Sequence, residues 1–164
     1  MKYSTSIGLL LLMSSAFLIS LVPGGPIETR DFSHIQPWVL LSFNVYLTVV
    51  GISSMVWGVH ALRKSLNPLW SLLSGLSYLI IYGLDLLTLF PVSPTPMNQA
   101  LWSIEITGLL LSLPLIALSC WQLMSANAAP PRIKMVNGWP IVLLIGAVVV
   151  AYATYSAMSG LQGI

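Results

Sequence analysis

Asp85, in the stretch YGLDLLTLF, and Glu105, in LWSIEITG, are acidic residues set inside long apolar runs. A carboxylate surrounded by hydrocarbon is costly unless it is paired, protonated or hydrated, so each is a functional candidate from the outset. Two such groups brought together can hold a cation, pass protons or fix helix contacts. Their positions let them meet. Asp85 lies five residues before Phe90, the end of one apolar run, and Glu105 five residues after Ala100, the start of the next. As helices these runs place both carboxyls about 7 Å below one membrane boundary.

A second group of charges belongs to the same side. The loop PGGPIETRDFSHIQP, residues 23–37, carries Glu28, Arg30, Asp31 and His34, although only 6% of the chain is charged. Pro-Gly-Gly-Pro supplies a tight reversal after the first apolar run. A guanidinium settling over two partly buried carboxylates offsets much of their cost, and Arg30 is the residue placed to do so. Without it, two close acids would share a proton. The loop is expected to act as a lid over an outward-facing polar pocket, with a solvated connector of balanced charge as the alternative. Phe32 and Ile35 are expected to press it onto the membrane surface.

The candidate cluster is therefore Asp85, Glu105, Arg30, Glu28, Asn44, His34 and Tyr82. Asn44, seven residues into the second apolar run, has a depth similar to the two acids. Tyr82, Asn44 and Ser103 are possible hydrogen-bond partners for their carboxyls. His34 is either a ligand or proton carrier of this pocket or an exposed loop residue. Asp85 and Glu105 allow a purely structural reading as well as a solute, ion or headgroup site.

The elements that must position these groups are all-α. Five apolar segments, at about 3–22, 38–62, 68–90, 100–124 and 139–158, each have the roughly 20–25 residues that cross a bilayer as a helix. With 57% hydrophobic residues and mean hydropathy +0.91, the composition fits an integral membrane protein forming one five-helix bundle. The first segment also has features of a signal peptide, but its apolar stretch is long and SSAF is a poor cleavage site, so a retained helix is expected.

Lys2, Arg63, Lys64, Arg132 and Lys134 fall on one side and Arg30 alone on the other. The positive-inside rule then places the N-terminus in the cytoplasm and the C-terminus outside, with loops 23–37 and 91–99 extracytoplasmic. Tryptophans near the span ends fit interfacial belts: on each of the second and fourth segments a pair lies 19 residues apart, about 28 Å of helix. Small and polar residues form stripes at helical spacing. They are Asn44, Thr48, Gly51 and Gly58; Ser71, Gly75, Tyr78, Tyr82 and Asp85; Glu105, Gly108, Ser112 and Ser119; and Gly146, Ala153, Ala157 and Gly160. The first segment offers only Gly8 and Ser15, so the second to fourth are expected to form the core and the first to lie at the periphery. Pro114 predicts a kink in the fourth.

Other chemistries find no support. The sequence has no metal-ligand spacing, nucleophile–base pair, phosphate loop or dinucleotide fingerprint, and no basic run for nucleic acid. No cofactor is expected. Its single cysteine, Cys120, excludes an intramolecular disulfide. No inverted repeat of the kind found in many transporters is visible. The expected protein is a non-enzymatic plasma-membrane component or accessory subunit, a homo-oligomer or part of a larger complex. The alternative is an oligomeric proton- or cation-coupled solute transporter or binding protein using Asp85 and Glu105.

Overall fold

The computed structural model describes residues 2–23, 25–64, 66–125 and 139–159. Among them it has five helices, α1 (Lys2–Ser20), α2 (Pro37–Arg63), α3 (Pro68–Leu86), α4 (Gln99–Ser125) and α5 (Trp139–Ser159), and no strand. Arg132 and Lys134, which enter the charge count, and the C-terminal residues 160–164 lie outside the described residues. The first four helices are long and apolar enough to cross a membrane, and α5 is apolar over Leu144–Ser159. Their outer faces expose Leu9, Met13, Val49, Leu110, Leu113 and Val148. A water-soluble bundle would not leave such bands uncovered; a lipid-facing one does.

The helix starts follow from local chemistry. Pro37 and Pro68 each open a helix, where a missing N–H costs nothing. Asn67 caps α3 by accepting from the Leu69 N–H at 3.0 Å, and Asn98 caps α4 by accepting from Leu101 N–H at 2.7 Å. The end of α3 departs from expectation: the helix stops at Leu86, four residues short of the apolar run's limit at Phe90. Thr88 has a φ of 54°, and the N–H groups of Leu89 and Phe90 both turn back to the Leu84 carbonyl. These bonds satisfy terminal carbonyls by a left-handed turn that apolar content alone does not reveal. Asp85 therefore sits in the last turn of α3 rather than five residues inside it.

The first helix is central, which corrects the expectation that it lies at the periphery. It packs against α2, α3 and α4, while α5 packs among the described helices against α2 alone. Two small residues are enough to bring backbones together. A Cβ on Gly8 would lie 3.0 Å from the Gly58 carbonyl oxygen, and one on Gly58 would lie 2.8 Å from Leu12 Cγ. Ser15 and Ser4 hydroxyls then donate across to the Gly51 and Ala61 carbonyls at 3.1 and 2.8 Å. In lipid, close approach and interhelical hydrogen bonds of this kind drive association. Ile7, Leu11 and Leu18 fill the space between.

The pair α3–α4 uses the expected stripes. Ser71, Gly75, Tyr78, Tyr82 and Asp85 are buried on α3, facing Glu105, Gly108, Ser112 and Ser119 on α4. Ser119 donates to Ser71 Oγ at 2.8 Å near one end of the pair. At the other end the ring of Tyr82 lies on Gly108, where an added Cβ would be 2.4 Å from Tyr82 Cζ. Only glycine admits that ring. α4 runs on as one helix through Pro114.

Candidate functional site

The site forms where the loop after α1 meets the ends of α3 and α4. Glu28, Arg30 and Phe32 alternate along an extended stretch and turn inward, while Thr29 and Ser33 point out. Arg30 then reaches Asp85 with a two-pronged contact, Nη1 to Oδ1 and Nη2 to Oδ2, each 2.7 Å. Glu28 closes on the other edge of the guanidinium, accepting from Nε at 2.9 Å and from Nη2 at 2.6 Å. It also accepts from the Arg30 backbone N–H at 3.1 Å, which fixes the loop's own turn. Fork-shaped contacts of this type are the strong form of ion pairing and are specific to arginine. Phe32 underlies the guanidinium carbon at 5.2 Å from its ring centre.

Two further effects favour Arg30 there. Asp85 lies at the C-terminal end of α3, where the helix dipole makes the field negative. A cation over that end offsets both the helix terminus and the carboxylate. Burial works against the Arg30 charge, but the bonds to Asp85 and Glu28 outweigh it, and the guanidinium is held protonated even more firmly than usual.

Glu105 completes the group and is the anomaly in it. Its relative exposure is only 1%. Its Oε1 stands 3.7 Å from Arg30 Nη2, too far for a hydrogen bond, and among the described residues its Oε2 has no partner. One oxygen from each of Glu28, Asp85 and Glu105 lies within 4.8 Å of the others. These three carboxylates face one guanidinium, a formal charge of −2 when all are ionised. A cavity of about 40 Å³ adjoins them, lined also by Asn44 and Tyr82 and for the rest mostly by apolar side chains such as Leu18, Leu40, Phe43 and Ile81. Tyr82 is one of the lining residues, and its hydroxyl likewise has no partner among the described residues.

A strap from the α3–α4 connection holds the loop down. Asn98 Nδ2 donates to the Ile27 carbonyl at 2.8 Å, Ser93 donates to the Asp31 carbonyl at 3.0 Å, and Thr95 Oγ1 accepts from the Asp31 N–H at 3.3 Å. Ser93, Thr95 and Asn98 were not visible as site residues in the sequence. They are uncharged and lie in a Pro-rich connection, and only the pairing of the two loops gives them a role.

Of the residues singled out by sequence, Arg30, Glu28, Asp85, Glu105, Asn44 and Tyr82 come together at the cavity, and His34 does not. His34 is exposed on the outer side of the loop. Asn44 donates to Thr154 Oγ1 on α5 at 3.1 Å rather than to a carboxyl, and Ser103 donates to the Gln99 carbonyl. Phe32 and Ile35 do not lie on a membrane surface: Phe32 is buried with Leu40 and Ala157, and Ile35 packs on that cluster. Phe32 shares one side of the extended stretch with Glu28 and Arg30 and turns inward with them. Asp31 remains on the outer side, where the Ser33 backbone N–H at 2.8 Å, helped by the Ser33 hydroxyl and nearby His34, holds its carboxyl below the usual range.

No curated protein and no solved structure matches this chain. A family model described as "Domain of unknown function (DUF8051)" matches residues 3–133, a stretch that holds α1 to α4 and every charged residue at the cavity. The chain belongs to that family.

Proposed function

We propose that this chain is a non-enzymatic, five-span membrane component in which the loop of residues 25–36 is a lid, clamped by Arg30 over a small polar pocket that faces outward. The N-terminus is cytoplasmic, the C-terminus extracytoplasmic, and the protein works in the plasma membrane as a homo-oligomer or as a subunit of a larger complex. One observation supports the lid above all: the guanidinium of Arg30 engages Asp85 through both of its terminal nitrogens while Glu28 holds it from the loop side. A plain connector between α1 and α2 has no reason to bury its arginine among three acids. Opening such a clamp exposes charged groups to the outer solution, which gives the loop two distinct states for a solute or partner subunit to select.

A second reading, binding of a cation or proton coupled to a small solute through Asp85 and Glu105, is favoured by the unpartnered Oε2 of Glu105.

Native mass spectrometry on tagged protein, extracted gently from its own membrane, tests the proposal. Co-migration with other subunits, lost when the outer loops are replaced, is the result expected of an accessory component. A discrete small-molecule adduct on a monomer or homo-oligomer, lost in Asp85→Asn/Glu105→Gln, would instead favour the solute-binding reading.

A further inference from the structure

Glu105 is the acid of the cluster that Arg30 does not serve. The two N–H groups on Nη2, the nitrogen that faces Glu105, already go to Glu28 and Asp85. The 3.7 Å between Nη2 and Glu105 Oε1 therefore carries no hydrogen bond. The backbone has none to offer either, because Glu105 lies beyond the first turn of α4, where N–H groups are spent within the helix. Leu18, Leu40, Phe43 and Ile81 make the neighbouring wall apolar. At 1% exposure and with no donor, the ionised carboxylate is the costliest form this side chain can take.

A proton removes that cost. Neutral Glu105 gains an O–H, and the Asp85 side chain stands within hydrogen-bonding reach to accept it. Each Asp85 oxygen takes one bond from Arg30, so each keeps a lone pair. The fork of Arg30 also decides which acid is neutral, since it favours Asp85 as the ionised acceptor and leaves Glu105 as the donor. The resulting acid–carboxylate bond ties α4 to the clamp between α3 and the loop.

We propose that Glu105 binds a proton that it shares with Asp85, and that this proton keeps the lid shut. The inference deepens the pocket reading above and rests on its lid. Few groups face Glu105 across the cavity. The loop brings Glu28 and Arg30, α3 brings Asp85 and Tyr82, α2 brings the amide of Asn44, and α1 brings Leu18 and Leu21. Among the described residues α5 adds none. Glu28 and Asp85 have the guanidinium, and Tyr82 is a phenol that stays protonated at neutral pH. Glu105 is thus the group whose charge can change.

Loss of its proton leaves three carboxylates around one guanidinium and no donor for Glu105. Opening the loop lets water reach all of them. In the open state Glu105 is a hydrated carboxyl, ionised above about pH 4.3. Closure therefore takes up a proton, so it is favoured as the outer pH falls and lost as that pH rises.

Two measurements on the full chain in nanodiscs test this. Infrared difference spectra at pH 7 should show the carbonyl stretch of a protonated carboxyl. Carbon-13 glutamate should move that band, carbon-13 aspartate should not, and Glu105→Gln should lack it. Thiol labelling of Asn44→Cys, in a Cys120→Ser background, should accelerate at least five-fold from pH 6 to pH 9 relative to the same protein with Glu105→Gln. The neutral amide of that variant still donates to Asp85 and keeps the lid shut at every pH, and the ratio cancels the titration of the thiol itself. If Glu105→Gln does not fold, the glutamate band of the wild type decides, and it should fade as pH rises. No glutamate band at pH 7, a band that survives Glu105→Gln, or a labelling ratio independent of pH would overturn the inference. Adding Arg30→Gln separates the proton from the lid. Fast labelling there beside a pH-independent ratio removes the proton and leaves the lid standing, whereas slow labelling there at every pH removes the lid itself.

Discussion

Arg30 and Asp85, 55 residues apart in the chain, meet through two parallel contacts of 2.7 Å that join the loop after α1 to the last turn of α3. The pair is nearly dry, with side-chain exposures of 5% and 12%. Removing one member of a buried pair strands the other, at a typical cost of roughly 3–5 kcal/mol. Arg30→Gln should therefore lower thermal stability markedly. Arg30→Lys should recover only part of the loss, because an ammonium cannot engage both Asp85 oxygens and Glu28 in one plane. Adding Asp85→Asn and Glu105→Gln to Arg30→Gln should restore much of the stability by removing two of the three stranded acids, Glu28 keeping its charge. Thermal unfolding of the three variants beside the wild type checks this, and a triple variant no more stable than Arg30→Gln would speak against an ion cluster.

Gly108 should be intolerant of even one added carbon. Alanine normally favours a helix interior over glycine by roughly 1 kcal/mol. Here the new Cβ would lie 2.4–2.9 Å from three atoms of the fully buried Tyr82 ring. Overpacking of this kind costs about 1–3 kcal/mol and wins over the helix preference. Gly108→Ala should destabilise the protein, and Tyr82→Ala in the same chain should relieve the clash, a coupling that a double-mutant cycle in thermal unfolding measures.

At the α1–α2 contact, Gly58→Ala would place a carbon 2.8 Å from Leu12 Cγ and 3.1 Å from the Gly8 carbonyl. Leu12 can move in part, but the Gly8 backbone cannot without separating the helices. The expected loss is about 1–3 kcal/mol. A disulfide between cysteines placed across this contact should form more slowly in the Gly58→Ala background than in its absence.

The outer side of the loop should respond to pH through Asp31. Its folded carboxyl titrates below the unfolded value of about 3.9, so its contribution to stability is present above that value and fades as pH falls through the folded one. The difference in melting temperature between wild type and Asp31→Asn should be constant from pH 6 to 8 and shrink below pH 4. The residue is exposed, and the difference should be small throughout. His34→Ala, on the same exposed side, should leave stability and loop closure unchanged.

How much of this was legible in sequence depended on the kind of interaction. Apolar length and the stripes at three- and four-residue spacing marked the α3 and α4 faces down to Glu105 and Gly108, because lipid allows few alternatives for small and polar residues. Asp85 and Arg30 could be matched because charges in this chain are scarce and their side of the bundle followed from helix counting. The position of α1 was not legible: Gly8 and Ser15 looked too few to make a core helix, yet a contact of backbone on backbone needs only a glycine on each side. The early end of α3 depends on the left-handed Thr88, whose neighbours are as apolar as the helix itself. The strap of Ser93, Thr95 and Asn98 uses backbone carbonyls that carry no sequence signature. The inward turn of Phe32 goes with the alternation that also buries Glu28 and Arg30 and could not be read from Phe32 alone.

The closure of the loop over the pocket is most directly tested by thiol labelling of Asn44→Cys in a Cys120→Ser background, with a small membrane-impermeant reagent on intact and permeabilised cells. Asn44 lines the cavity and is 4% exposed beneath the loop. The account predicts slow labelling in this chain and labelling at least ten-fold faster when Arg30→Gln is added, from outside the intact cell. Equal rates with and without Arg30 would contradict the lid, and reaction only after permeabilisation would reverse the orientation.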